Sequence, residues 1–252
     1  MNRTGGNGME GLFSISGWEK VWTFRSTFLL GLLNSGRMAL FALLLSLILG
    51  IIFGLMATSS KKILRGISRV YVELIQNTPL VLQLCFLYYT LAFSGYSLGI
   101  IITGTISLGV YHGAYMAEVV RAGISSISKG QFEAADSQGF HYIAKMYYVI
   151  LPQSIKIILP PMANQVVNLI KNTSCLYIIG GADLISVTYS FVTGASTGGA
   201  YAPAYLISGL LFFLVCFPLS TLASTWENSL KKREARTVDA QNTLTEGRVT
   251  KQ

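Results

Sequence analysis

The chain has 252 residues and a formal net charge of +8, yet only 12% of its residues are charged and 52% are hydrophobic. With a mean hydropathy of +0.52, this composition excludes an ordinary soluble domain and reads as an all-α, polytopic integral membrane protein. The positive charge does not mark a nucleic-acid partner, because no basic-aromatic interleaving and no zinc-ligand spacing accompany it.

The charges locate the spans, since a helix needs roughly 20 mostly apolar residues to cross the hydrocarbon. Residues 1–26 form an N-terminal extracytoplasmic or interfacial segment; the first apolar run starts only near Thr27, so no signal peptide is expected. No charge occurs from Met38 to Ser60, which predicts a span over 36–58. None occurs from Leu74 to Ala117, room for two spans, 70–93 and 97–118, with a turn near Phe93-Ser94-Gly95-Tyr96-Ser97 and a bend at Pro79. A loop over 125–152 precedes a less clean fourth span, 154–174, and the uncharged run from Leu184 to Trp226 holds a fifth, 202–226. The tail, 231–252, is polar and lacks a hydrophobic face, so it is expected to be disordered and cytoplasmic. Cys85, Cys175 and Cys216 have no CxxC spacing and read as buried free thiols.

Short loops rich in Lys and Arg stay in the cytoplasm. Lys61, Lys62, Arg65 and Arg69 follow the first span, Arg121, Lys129 and Lys145 flank the loop over 125–152, and Lys231, Lys232, Arg233 and Arg236 open the tail. Five spans put these three segments on one side and the N-terminus on the other. The turn near Gly95 and the stretch from Gly180 to Tyr201 carry only Asp183, as expected outside. Arg3, Lys20, Arg25 and Arg37 run against that orientation.

The loop reads Q-F-E-A-A-D-S-Q-G-F-H-Y-I-A-K-M-Y-Y-V-I-L-P from Gln131 to Pro152. Ser128 and Gln131 have capping-box spacing, Ala134 and Ala135 allow close approach, Gly139 ends the helix, and Pro152 starts the next one. Phe132, Phe140 and Tyr142 are expected to be aromatic knobs for a partner. The alternative is an amphipathic loop on the membrane surface. A P-loop is missing, because the chain contains no Gly-Lys pair, and so is the His-Glu-x-x-His pattern. The chain is therefore expected to be no enzyme, with no catalytic residues, no metal and no bound cofactor.

In the fourth span Asn164, Gln165, Asn168, Lys171 and Asn172 share one helix face, and Val166, Val167, Leu169 and Ile170 fill the other. Polar groups inside a membrane face a cavity or one another, so this stripe is a candidate pathway lining. Inter-helix hydrogen bonding, worth about 0.6 kcal/mol per bond, is the alternative. Over the 16 residues from Ile155 a helix rises about 24 Å, which puts Lys171 in the outer half unless Pro160-Pro161 bends the segment. Glu73, Gln76, Asn77 and Gln83 of the second span are further pathway candidates. Glu118 and Arg121, three apart, are expected to pair with each other or with the base of the hairpin, with substrate contact as the alternative, and His112 to serve helix packing, with the pathway as the alternative.

The Glu133-Ala134-Ala135, Gly139, Leu151-Pro152 pattern resembles the EAA signature of membrane subunits of bacterial ABC importers, with Val149 at the usual isoleucine position. Glu73-Leu74-Ile75-Gln76-Asn77-Thr78-Pro79-Leu80, Ala114-Tyr115-Met116-Ala117-Glu118 and Lys171-Asn172-Thr173-Ser174 resemble the polar amino-acid branch of that family (histidine/glutamine permease-like). The resemblance covers roughly 27–230. It implies a type I, MetI-like permease core with five transmembrane helices, multi-pass in a bacterial cell membrane, N-terminus outside and C-terminus cytoplasmic. It implies ATPase coupling through Gln131, Phe132, Glu133, Ala134, Ala135 and Gly139. The partners it implies are a second permease subunit, two ABC ATPases that use ATP and Mg, an extracytoplasmic amino-acid-binding protein, and membrane lipid. Some family members are acidic at the position of Gln165 and many at that of Asn172; both are amides here, which favours a neutral or acidic amino acid over a cationic one. Importers of another small solute and ion-coupled secondary transporters are the alternatives, the latter disfavoured because five spans do not divide into paired halves and Glu73 is the only carboxylate inside a span.

Overall fold

The computed structural model describes residues 14–96, 98–195 and 199–249, with side chains as far as Leu230. Arg3, Ser97 of the predicted turn, and the tail cations Lys231, Lys232, Arg233 and Arg236 as side chains lie outside the described residues. The described secondary structure is helical throughout.

A short helix, α1 (Ile15–Thr23), is capped by Ser14 and separated by Phe24 from α2 (Arg25–Thr58). At 34 residues, α2 is about 51 Å long, so it exceeds the predicted span by about half. Arg37, read as a boundary charge, lies inside the helix, because arginine is a good helix former and its long stem can carry the charge away from apolar surroundings. α2 packs along α5 (Ile100–Ser125) with the two helices running parallel: Gly109 meets Leu45, Gly50 meets Met116 and Gly54 meets Val120. A Cβ on Gly50 would stand 2.4 Å from Cβ of Met116, so the absent side chain sets the separation of the two helices.

The predicted second span is two helices, α3 (Lys62–Gln76) and α4 (Leu80–Phe93), bent by 98°. Pro79 drives Thr78 out of the helical region and offers no N–H. The carbonyls so released are closed by side chains: Asn77 Nδ2 donates to Glu73 O at 2.7 Å, Thr78 Oγ1 to Leu74 O at 2.9 Å, and Gln83 Nε2 to Ile75 O at 2.9 Å.

After α6 (Lys129–Ser137) and α7 (Tyr142–Lys145), a π-turn at Met146–Ile150 leads into α8 (Leu151–Asn172) and a 3-10 segment, Thr173–Ile179. The helical turns run unbroken from Tyr142 to Ile179, through Pro160 and Pro161, as one rod. Pro152 stands in the first turn of α8, as its place in the sequence predicts, and the helical turns run into it from α7 without a break. Because it cannot donate to Tyr148, the ladder widens by one residue, with Leu151 N–H reaching Met146 O.

The stretch from Gly180 to Tyr201, expected to lie outside, contains α9 (Leu184–Thr193), set at 41° to the preceding rod. Asp183 is buried and accepts from the Ile185 and Ser186 amides at 2.9 and 3.3 Å, an N-cap rather than a loop charge. Asn34 and Ser35 of α2 hold this corner through Ala182 O and Leu184 N–H. The last helix, α10 (Tyr201–Val249), continues through the tail expected to be disordered, since its first turns, packed on α1 and α9, supply the nucleus from which helix propagates without a hydrophobic face.

By length and composition, α2, α5 and Tyr201–Leu230 can each cross a membrane, and the two bent pairs raise the number to five if each is one span. Three apolar clusters follow the axis of the bundle: Val21, Phe28, Leu184 and Phe191 at the end away from the hairpin, Met38, Ala42, Leu84 and Leu108 in the middle, and Val120, Ile124, Met146 and Ile150 beneath the hairpin.

Candidate functional site

The hairpin is α6, the turn at Gly139, and α7. Gly139 has φ +80°, and the Gly139 and Phe140 amides return to Asp136 O and Ala135 O at 3.0 and 3.1 Å, closing the carbonyls of a helix C-terminus. Ser128 is the N-cap residue as its position predicts, but its hydroxyl makes no capping bond. The Gln131 side chain instead accepts from Gln153 Nε2 at 3.3 Å, tying the first arm of the hairpin to the start of α8. Lys145 Nζ meets Asp136 Oδ1 at 2.5 Å and lies 6.0 Å from the centre of the Phe132 ring.

These contacts sort the predicted docking residues. Glu133, Ala134 and Gly139 are exposed, and Ala135 is buried under the hairpin. Phe132 faces inward onto the Val120–Ile150 cluster, which corrects its expected place as a knob. Tyr142, at 47% exposure, fits that role, as do Ile143, Tyr147 and Tyr148, which the sequence reading passed over and which are 72%, 65% and 67% exposed.

At the other end of the same rod, Gln165, Asn168, Lys171 and Asn172 of α8 face Tyr111, His112 and Tyr115 of α5 across a cavity of about 210 Å³. Val167 and Leu169 are buried on the reverse of the helix, and Asn168 and Lys171 are exposed. Asn164 lies on the same helix but does not line this cavity. His112, assigned to packing, is 1% exposed and belongs to the cavity wall. Its Nε2 is 3.1 Å from Asn172 Nδ2. An amide N–H donating there places the ring proton on Nδ1, and Nδ1 has no partner among the described residues. Tyr111 and Tyr115 share a hydroxyl contact of 3.1 Å beside it. The signal for this α5 wall was a His flanked by tyrosines four apart in an otherwise apolar helix.

The candidates of the second span lie elsewhere. Glu73 and Gln76 line a larger cavity, about 710 Å³, between α3 and α5, together with Lys62, Arg65, Arg69, Glu118 and Arg121. Arg69 Nε binds Glu73 Oε1 at 2.7 Å, and Arg121 holds Glu118 by two bonds of 2.5 and 2.9 Å. The latter is the mutual pairing expected of that couple. Gln76 Nε2 donates to Ala114 O at 3.2 Å. Asn77 and Gln83 close the break at Pro79 and line neither polar cavity.

Residues 46–232 match the family model described as "Binding-protein-dependent transport system inner membrane component". The chain is 38% identical over 187 residues to the probable glutamine ABC transporter permease protein GlnM of Bacillus subtilis, covering 74% of this chain and 85% of that one. It is 32% identical over 198 residues to the probable glutamine ABC transporter permease protein GlnP of the same organism, covering 78% and 90%. Among solved structures, an amino acid ABC transporter crystallised with histidines superposes with a TM-score of 0.77 at 30% identity, over 84% of this chain and 98% of that one. An inward-facing MetNI methionine ABC transporter shares the fold, with a TM-score of 0.66 at 15% identity over 81% and 98%. The all-helical bundle, its membrane-length apolar helices and these matches have one meaning: the chain belongs to the family of binding-protein-dependent transport system inner membrane components, the permeases of ABC transporters.

Proposed function

We propose that the chain is the permease subunit of an ATP-driven importer of polar amino acids, with five spans, its N-terminus outside and its C-terminus in the cytoplasm of a bacterial cell. The observation that carries this reading is the continuity of helical turns from Tyr142 to Ile179, which joins the hairpin to the polar face of α8. A push at the exposed Glu133 end is then transmitted to Lys171 and Asn172 as movement of one body. Two ATPase subunits hydrolyse ATP with Mg on their own chains and close against the hairpin, a second permease subunit completes the pathway, and a binding protein delivers the solute from outside. A transporter with no differential affinity of its own for the two facings needs that external source of free energy.

The relatives named for glutamine and the amide-rich lining of the 210 Å³ cavity support a neutral or acidic amino acid as cargo. Its lining has one cation, Lys171, and no carboxylate, so an arginine or lysine side chain would enter without a counter-charge. Uptake assays in which arginine or lysine is the preferred substrate would sink this assignment. For the hairpin, Glu133→Lys and Gly139→Pro are expected to abolish ATP-driven uptake in proteoliposomes while the chain still inserts. Glu133→Lys reverses an exposed charge, and proline cannot adopt the φ of Gly139. Wild-type uptake in either variant would remove the hairpin from the coupling path.

A further inference from the structure

A groove of about 470 Å³ runs between α2, α8 and α10 on the outer surface of the bundle. Its long wall is one face of α2, Leu29, Leu32, Leu33, Gly36, Leu40 and Leu43. From Leu29 to Leu43 that face rises about 21 Å, more than one leaflet of a hydrocarbon core roughly 30 Å thick. Gly36 opens it: a Cβ built there meets nothing within 4 Å. The opposite wall is Val166, Leu169 and Ile170 of α8, the reverse side of the helix that carries Gln165, Asn168 and Lys171.

The end of this groove is not apolar. Arg25 is four residues above Leu29, on the same face of α2. Its guanidinium carbon stands 5.1 Å from the centre of the exposed Trp22 ring, and Nη1 donates to Trp22 O at 3.0 Å. A guanidinium stacked on an aromatic ring and pinned at a helix C-terminus keeps further N–H groups in the fork that suits phosphate oxygens. Tryptophan and arginine at the end of a spanning helix are the residues that sit at the headgroup level.

We propose that this surface is a phospholipid site, in which the phosphate rests on Arg25 beside Trp22 and one acyl chain lies in the groove over Gly36. The cation at one end and the apolar trough below it match the two halves of a phospholipid. Continuous contact with Val166, Leu169 and Ile170 places that chain directly behind the polar face of α8. The proposal rests on α2 spanning the membrane and not on the hairpin or the cargo.

The test is native mass spectrometry of the complete transporter purified in mild detergent, counting phospholipids retained per permease chain as detergent is raised. Wild type is expected to keep one phospholipid more than Gly36→Phe, whose ring fills open space. Arg25→Gln, which leaves the groove unaltered, is expected to lose the same lipid at several-fold lower detergent. Equal retention in wild type and Gly36→Phe would overturn the site. Loss of the second permease subunit from Gly36→Phe, with lipid count otherwise unchanged, would overturn it too, by making the groove a subunit interface. Should Gly36→Phe fail to assemble, unchanged lipid retention in Arg25→Gln is the result that refutes the proposal.

Discussion

The cavity that Tyr111, His112 and Tyr115 share with α8 has one cation and no carboxylate, whereas the larger cavity between α3 and α5 has four cations and two carboxylates, each carboxylate closed on an arginine. A ligand entering the first displaces no ion pair. Entry into the second competes with Arg69–Glu73 or with Arg121–Glu118. The same helix, α5, borders both, so the difference comes from what faces it: amides and a lysine from α8, or the charged side of α3. A carboxylate closed on its neighbouring arginine is the mark of a wall, while a lone cation among amides and hydroxyls is the mark of a place prepared for something else.

The most severe test of that contrast is Lys171→Glu. Two unit charges 4 Å apart exchange about 4 kcal/mol at an effective dielectric of 20. Even with much of that lost to hydration, uptake of a neutral or acidic amino acid is expected to fall on the order of 100-fold, and a cationic amino acid to gain relative to it. Competition uptake in proteoliposomes measures both. If Lys171→Glu leaves the substrate order unchanged, the unpaired lysine plays no part in selection and the contrast between the cavities loses its meaning.

A smaller effect is expected at His112. His112→Phe keeps the ring and its packing against Tyr111 and Tyr115 but removes the Asn172 contact. A hydrogen bond of this kind contributes about 0.5–1.5 kcal/mol, so a loss of uptake of roughly 2- to 10-fold is expected. His112→Phe and Asn172→Leu together should cost less than the two singly, because they remove one shared interaction. Strict additivity would mean that the two side chains act apart.

How far these features could be read in advance depended on whether their signal is local. Gly139 and the small residues before it announce a helix end within a few positions, and the turn lies there. The inward direction of Phe132 was hidden, because it depends on Met146 and Ile150 across the hairpin. The stripe on α8 was legible from helical period alone, but its facing wall on α5 is about 60 residues earlier and follows from packing. Pro79 marked a break, while the 98° angle comes from Tyr71 and Gln76 anchoring α3 on Val110 O and Ala114 O of α5. α9 was missed because the low charge from Gly180 to Tyr201 was read for its side of the membrane and not for its secondary structure. Asp183 followed three residues later by Ser186 carried the N-cap pattern that would have revealed it.

The mildest prediction concerns the closed cavity itself. Glu118 and Arg121 are both 43% exposed as side chains, so water screens much of their attraction, and a pair of this kind contributes about 0.2–1 kcal/mol. Its two bonds of 2.5 and 2.9 Å argue for the upper part of that range, since a bidentate guanidinium loses less entropy per bond. Glu118→Gln and Arg121→Gln should therefore each lower the thermal midpoint of the purified transporter by only a few degrees. The double variant should add little beyond either one, and substrate order should stay as in the wild type. A change in substrate order in either single variant would mean that the arginine or the carboxylate leaves its partner for the cargo during the cycle, and that the cavity between α3 and α5 is a second station on the pathway and not its wall.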